Sequence, residues 1–120
     1  MTLLCVPIFV ESYEQAIAAA REARDRGADI VEFRFDSYYH GHNDPVQLPI
    51  IARIVADCPL PVIATCRPVL EGGQYDGPDD ARVSLFEHLG TAAASPTYLD
   101  CELATYTRSA NIAVITNDIY

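Results

Sequence analysis

Asp29-Ile30-Val31-Glu32-Phe33-Arg34-Phe35 reads as one strand, apolar at Ile30, Val31, Phe33 and Phe35, with Glu32 and Arg34 alternating onto the other face. Two opposite charges inside a strand are unusual. Upstream, Leu3 to Phe9 is a continuous apolar run. Ser12-x-x-Gln15 then forms a capping box opening a helical pattern with Tyr13, Ala16, Ile17 and Ala20 on one face, and Gly27 stops it. Downstream, Asp36 to Pro45 is a loop rich in Tyr, His, Gly and Asn. Asp44-Pro45 starts a second helix carrying Ile50, Ile51, Ile54 and Val55, and Pro59 ends it. Leu60 to Cys66 is a third strand, Arg67 to Gly77 a polar segment, Pro78 to Leu89 a third helix, and Tyr98 to Leu103 a fourth strand.

Four strands, each interval holding one helical pattern, are the arithmetic of repeated βα units around a parallel sheet, with strands inside and helices outside. The period then breaks. Asn111 to Thr116 reads as a fifth strand, yet it follows Leu103 by only eight positions, whereas a parallel crossover needs roughly a dozen residues. The fourth helix is missing or reduced to a turn. Two architectures stay open on these grounds: a small open sheet, and the first half of an eight-stranded barrel of about 250 residues.

The 120 residues, half of them hydrophobic, fit one ordinary soluble domain over 1–120. All eight basic residues are arginine, so chemistry that needs a lysine amine is excluded for these residues. A net charge of −9 repels polyanions and anionic membranes, and neither a nucleic acid nor a membrane is expected as partner. The apolar run Leu3 to Val10 is too short to span a bilayer and no basic residue precedes it, so neither a signal peptide nor an anchor is expected. Cys5, Cys58, Cys66 and Cys101 are widely spaced without a CxxC, which fits reduced thiols in a cytoplasmic protein.

Functional groups of α/β folds gather at the carboxyl ends of strands. Glu32 and Arg34 lie near the end of the second strand, Arg67 and Glu71 follow the third, and Asp100 and Glu102 end the fourth. Glu32–Arg34 and Arg67–Glu71 can be structural ion pairs; charge at the same end of three successive strands points instead to a site. Two arginines converging there suit a ligand bearing a carboxylate, which guanidinium grips with paired hydrogen bonds. His40 and His42 flank Gly41 in an exposed loop without a third ligand, so no metal is expected, and His88 sits on a helix face away from the strand ends. Gly72-Gly73 lacks the spacing of a phosphate loop and reads as a flexible active-site loop.

Val31-Glu32-Phe33-Arg34-Phe35-Asp36, Val62-Ile63-Ala64-Thr65-Cys66-Arg67-Pro68 with Glu71-Gly72-Gly73, and Tyr98-Leu99-Asp100-Cys101-Glu102-Leu103 resemble, in order and spacing, the N-terminal half of type I 3-dehydroquinate dehydratase. The resemblance implies a (β/α)₈ TIM barrel of the shikimate pathway, converting 3-dehydroquinate to 3-dehydroshikimate and water with no metal or cofactor. It further implies a lysine Schiff base as electron sink and a histidine that moves protons. Glu32, Arg34 and Arg67 match its substrate contacts, Glu71 the acidic neighbour in the active-site loop, and Asp100 the acid that supports the histidine. The fifth strand departs from the pattern: Asn117 occupies the histidine position, or the histidine is deleted. The lysine belongs to a sixth strand beyond these residues.

The expectation is therefore a truncated, partial TIM barrel of about four βα units plus a fifth strand, belonging to this lyase family but inactive alone. The alternative is a non-catalytic half-barrel that binds a small anionic, 3-dehydroquinate-like ligand or pairs with another subunit. Exposed edges at the first and fifth strands would then lead to homo-oligomers or aggregation.

Overall fold

The computed structural model describes residues 2–92 and 94–100. In chain order these form β1 (Cys5–Phe9), α1 (Tyr13–Asp25), β2 (Ile30–Arg34), α2 (Asp44–Asp57), β3 (Val62–Thr65), a 3₁₀ turn (Val69–Glu71), α3 (Asp79–Gly90) and β4 (Tyr98–Asp100). The fifth strand expected over Asn111 to Thr116, together with Cys101, Glu102 and Asn117, lies outside the described residues.

The four strands are all parallel and lie in the order β1-β2-β3-β4. That order decides between the two open architectures. A doubly wound sheet reverses its strand order to cover both faces, whereas uninterrupted right-handed crossovers place every helix on one side. Accordingly α1 packs on α2 and α2 on α3. The described residues form one wall of a barrel.

Register sorts the side chains into two faces. Ile8 lies beside Phe33, Phe33 beside Ala64, and Ala64 beside Leu99, while Val31 lies beside Val62. These residues belong to the helix-covered core with Ala16 and Ala20 of α1, Ile51 and Ile54 of α2, and Leu85, Phe86 and Leu89 of α3. The other face has two rows across the sheet, Pro7-Glu32-Ile63-Tyr98 and, nearer the carboxyl ends, Phe9-Arg34-Thr65-Asp100. Glu32 and Arg34 are accommodated on that face by polar partners: the Thr65 hydroxyl donates to Glu32, and Asp36 accepts from Arg34.

The capping box holds β1 and α1 together. Ser12 Oγ accepts the Gln15 backbone N–H at 3.0 Å. The Gln15 side chain reaches one residue further back than the usual arrangement: its Oε1 accepts the Glu11 N–H at 2.9 Å and its Nε2 donates to the Phe9 carbonyl at 3.1 Å. The helix start is thereby tied to the end of the first strand. Ser12→Ala is expected to lower unfolding free energy by about 1 kcal/mol in urea titrations, while Ser37→Ala, at an exposed position, changes it by less than about 0.5 kcal/mol.

Candidate functional site

Arg34 ends β2 pointing onto the open face, and its guanidinium forks onto Asp36, with Nε donating to Oδ1 at 3.0 Å and Nη2 to Oδ2 at 2.9 Å. The Asp36 side chain is fully buried and that of Arg34 is 13% exposed. The Phe9 ring supports the guanidinium face at 4.9 Å. Asp36 Oδ2 also accepts the Gln74 backbone N–H at 2.9 Å, which fastens the segment after β3 to the end of β2.

One strand over, Thr65 donates its hydroxyl to Glu32 Oε2 at 2.6 Å, and Asp100 Oδ2 lies 3.5 Å from the same hydroxyl. Arg67 Nη2 meets Asp100 Oδ2 at 3.3 Å, with one-third of the Arg67 side chain and a tenth of that of Asp100 exposed. Burial pushes the Asp100 carboxyl above the ordinary carboxylate range and nearby Glu32 adds to this, while Arg67 and the Thr65 hydroxyl pull the other way.

The Arg67 segment is held by its own backbone. Tyr75 N–H donates to the Arg67 carbonyl at 3.1 Å, Val69 N–H to the Tyr75 carbonyl at 3.0 Å, and Gly73 N–H to the Pro68 carbonyl at 3.0 Å. Gly72 takes a φ of +86°, and a Cβ on Gly73 would stand 2.0 Å from the Arg67 carbonyl oxygen. The paired glycines thus permit a loop folded tightly back on Arg67, in place of the flexible loop the sequence suggested.

Cys5, Pro7, Phe9, Glu32, Arg34 and Arg67 line a hollow of about 320 Å³ on the open face. Asp100, in contact with Arg67, is not one of the lining residues. Glu71 is not brought there: it is exposed on the 3₁₀ turn and lines a separate hollow with Asp76, Asp79 and Arg82. Arg67 therefore bridges Asp100 and not Glu71. His40 and His42 are exposed and stacked at 5.6 Å, and His88 is exposed in the last turn of α3. Among the described residues no group of three His, Cys, Asp or Glu could hold a metal ion, and no helix is long and apolar enough to cross a membrane. Cys5, Cys58 and Cys66 are free thiols, and deep burial pushes the Cys66 thiol well above its usual range.

Sequence reasoning missed Asp36 and Thr65 as site residues. Asp36 stands two residues beyond Arg34, the spacing that returns a side chain to the same side of an extended chain. Thr65 becomes visible only with the β2–β3 register, which sets it beside Arg34.

The family model described as type I 3-dehydroquinase matches residues 4–118. The 3-dehydroquinate dehydratase of Methanothermobacter thermautotrophicus is 36% identical over 104 residues, covering 87% of this chain and 43% of that protein. The chloroplastic bifunctional 3-dehydroquinate dehydratase/shikimate dehydrogenase of Arabidopsis thaliana is 32% identical over 102 residues, covering 85% of this chain and 16% of that one. The fold matches the type I 3-dehydroquinate dehydratase of Clostridium difficile, solved with covalently modified comenic acid, at a TM-score of 0.73 and 23% identity over 96% of this chain and 50% of that chain. The Aquifex aeolicus 3-dehydroquinate dehydratase follows at 0.65 and 28% over 88% of this chain and 43% of that one. The chain thus spans half or less of each of these relatives.

The Arg34–Asp36 fork is expected to govern stability. Asp36→Ala removes both forked hydrogen bonds from a nearly buried guanidinium and should cost about 3–5 kcal/mol in urea unfolding, whereas Arg34→Met/Asp36→Leu should recover most of that loss. A cost for Asp36→Ala below about 1 kcal/mol would assign the pair to the solvated surface class.

Proposed function

The chain belongs to the type I 3-dehydroquinase family, and from that premise we propose that its 120 residues form the ligand-gripping half of a 3-dehydroquinate dehydratase site, without the groups that perform the elimination. The observation that supports this reading is the gathering of Glu32, Arg34 and Arg67 around one hollow at the carboxyl ends of successive strands. A guanidinium suits a ligand carboxylate and a buried carboxylate suits a ligand hydroxyl, and 3-dehydroquinate offers both.

Gripping and reacting are separable here. The family resemblance assigns the reaction to a lysine that condenses with the substrate ketone, the iminium drawing electrons from the neighbouring carbon so that its proton can leave. No lysine occurs in the 120 residues. Either Asn117 occupies the position matching the proton-transfer histidine or that histidine is deleted, and an asparagine amide cannot take and return a proton as imidazole does. Of the two acids expected to support the site, Asp100 holds Arg67, whereas Glu71 stands outside the hollow. The chain alone binds and does not dehydrate, and in the cytoplasm it would occupy the place of a shikimate-pathway lyase of aromatic amino acid biosynthesis.

A second reading, in which another chain completes the barrel, is favoured by the outer edge of β1. Leu3 and Leu4 are 59% and 52% exposed there, and an apolar groove between β1 and α1 is lined by Leu4, Val6, Ile8, Phe9, Ala19 and Ala23. Among the described residues no strand pairs with that edge of β1, and such an edge beside an apolar groove invites a second protein. Sizing at micromolar concentration is expected to show self-association; a monodisperse monomer contradicts this second reading.

For the main reading, calorimetry with 3-dehydroquinate is expected to detect binding that Arg67→Ala weakens about tenfold or more, the effect of one charge-assisted hydrogen bond. Borohydride trapping should leave no adduct. Equal heats for the two proteins, or a trapped adduct, would contradict the proposal.

A further inference from the structure

Tyr39 and Tyr75 do not line the hollow, yet both are buried and their rings stack at 6.0 Å with 9° between the planes. They come from different βα units. Tyr39 belongs to the loop after β2, where its N–H donates to the Phe35 carbonyl at 2.8 Å. Its hydroxyl lies 2.9 Å from Asp44 Oδ1 and 3.0 Å from the Ala81 carbonyl oxygen, at the starts of α2 and α3. Tyr75 belongs to the segment after β3, and its hydroxyl donates to the Pro78 carbonyl at the N-cap of α3. Beside the stack the two loops touch closely: a Cβ on Gly77 would stand 2.5 Å from the His40 carbonyl oxygen and 2.6 Å from the Tyr75 hydroxyl.

The backbone of Tyr75 closes the segment that carries Arg67, since its N–H donates to the Arg67 carbonyl and its carbonyl accepts from Val69. The segment is thus fixed by β3 before Arg67 and by Tyr75 after it. The Arg67 side chain has a weaker hold of its own: it is one-third exposed and meets Asp100 through one nitrogen at 3.3 Å, longer than a well-formed charge-assisted bond. Where the guanidinium stands therefore follows from where its backbone is held. The Gln74 N–H to Asp36 is a second tie, but it is one hydrogen bond, whereas the Tyr75 ring carries a large apolar area into the core.

We infer that Tyr39 and Tyr75 are positioning residues for Arg67: the stacked pair anchors the segment after β3 to the loop after β2 and sets the guanidinium at the hollow from outside it. The functional weight of this pair rests on the reading of the hollow as the ligand site; the anchoring itself needs no ligand to be measured.

Asp100 reports where Arg67 stands. Among the described residues the groups facing it are Glu32 from β2, Thr65 from β3 and Arg67. Arg67 is the only cation among them, and it lowers the Asp100 titration against burial and Glu32. Withdrawal of the guanidinium therefore moves that titration upward. Burial pushes the Tyr75 hydroxyl up to about 12 and that of Tyr39 higher still, so neither phenol changes charge where a carboxyl titrates.

The test follows the carbon-13 carboxyl resonance of Asp100 with pH in the unaltered 120-residue chain and in four variants. Tyr75→Ala is expected to shift the titration upward, and Tyr39→Leu, which keeps an apolar side chain in the core, carries the same expectation where Tyr75→Ala does not fold. Tyr75→Phe retains the ring and should leave most of the titration in place. Ile17→Ala opens a cavity under α1; it should lower the urea midpoint and leave Asp100 unmoved. An unmoved Asp100 in folded Tyr75→Ala or Tyr39→Leu overturns the inference, as does an equal shift in Ile17→Ala. Calorimetry with 3-dehydroquinate reads the functional part separately, and Tyr75→Ala should approach the roughly tenfold weakening expected of Arg67→Ala. Undiminished binding in a variant whose Asp100 has shifted overturns the positioning role. No heat with the unaltered chain overturns the reading of the hollow as a ligand site, while the anchoring is still decided by the Asp100 titration.

Discussion

The site depends on the Asp36 carboxylate, buried at the point where β2 leaves the sheet. It accepts both forked N–H groups of Arg34 and the backbone N–H of Gln74. Without it, Arg34 would lose the fork that orients it in a nearly buried position, and the segment bearing Arg67 would lose this hydrogen bond to the end of β2. One acid thus aligns an arginine on its own strand and a loop from the next βα unit. A buried ion pair contributes little net stability, since desolvation offsets attraction; its consequence here is geometric, fixing where two cations stand relative to one hollow.

The sheet explains why these groups meet. Strand order without reversal leaves one face for α1, α2 and α3 and the other uncovered by these helices. Parallel register then stacks Phe9, Arg34, Thr65 and Asp100 in one row. Alternation within β2 was readable directly, because Val31 and Phe33 differ from Glu32 and Arg34 in polarity and the period of two follows from the pleat. The first two helices were equally readable, from Ser12 and Gly27 for α1 and from Asp44-Pro45 and Pro59 for α2. What alternation could not supply was the pairing partner. Glu32 and Arg34 look like a local ion pair in the sequence, yet Arg34 forks onto Asp36 and Glu32 takes the Thr65 hydroxyl from the adjacent strand. Likewise Arg67 and Glu71 sit four residues apart, but the tight turn at Gly72-Gly73 sends Glu71 outward. Contacts across strands and reversals at glycine are tertiary facts, and local spacing does not encode them.

Family membership and chemistry also separate along the chain. The groups proposed to hold a ligand come from the first three strands and the segments after them, whereas the amine that would form an imine is missing from the 120 residues. The opposed roles of the two arginines give the binding half a logic of its own: Arg34 is locked and shapes the hollow, and Arg67 is loosely held and available.

The central claim is that the open face at the carboxyl ends of β1 to β4 is where ligand binds. Backbone amide shifts of the nitrogen-15-labelled chain during titration with 3-dehydroquinate test it most directly. The account predicts saturable shifts centred on Phe9, Glu32, Arg34, Thr65 and Arg67, with the β1–α1 groove around Ala19 and Ala23 undisturbed. Shifts centred on that groove, or on the outer hollow around Glu71 and Arg82, would contradict it.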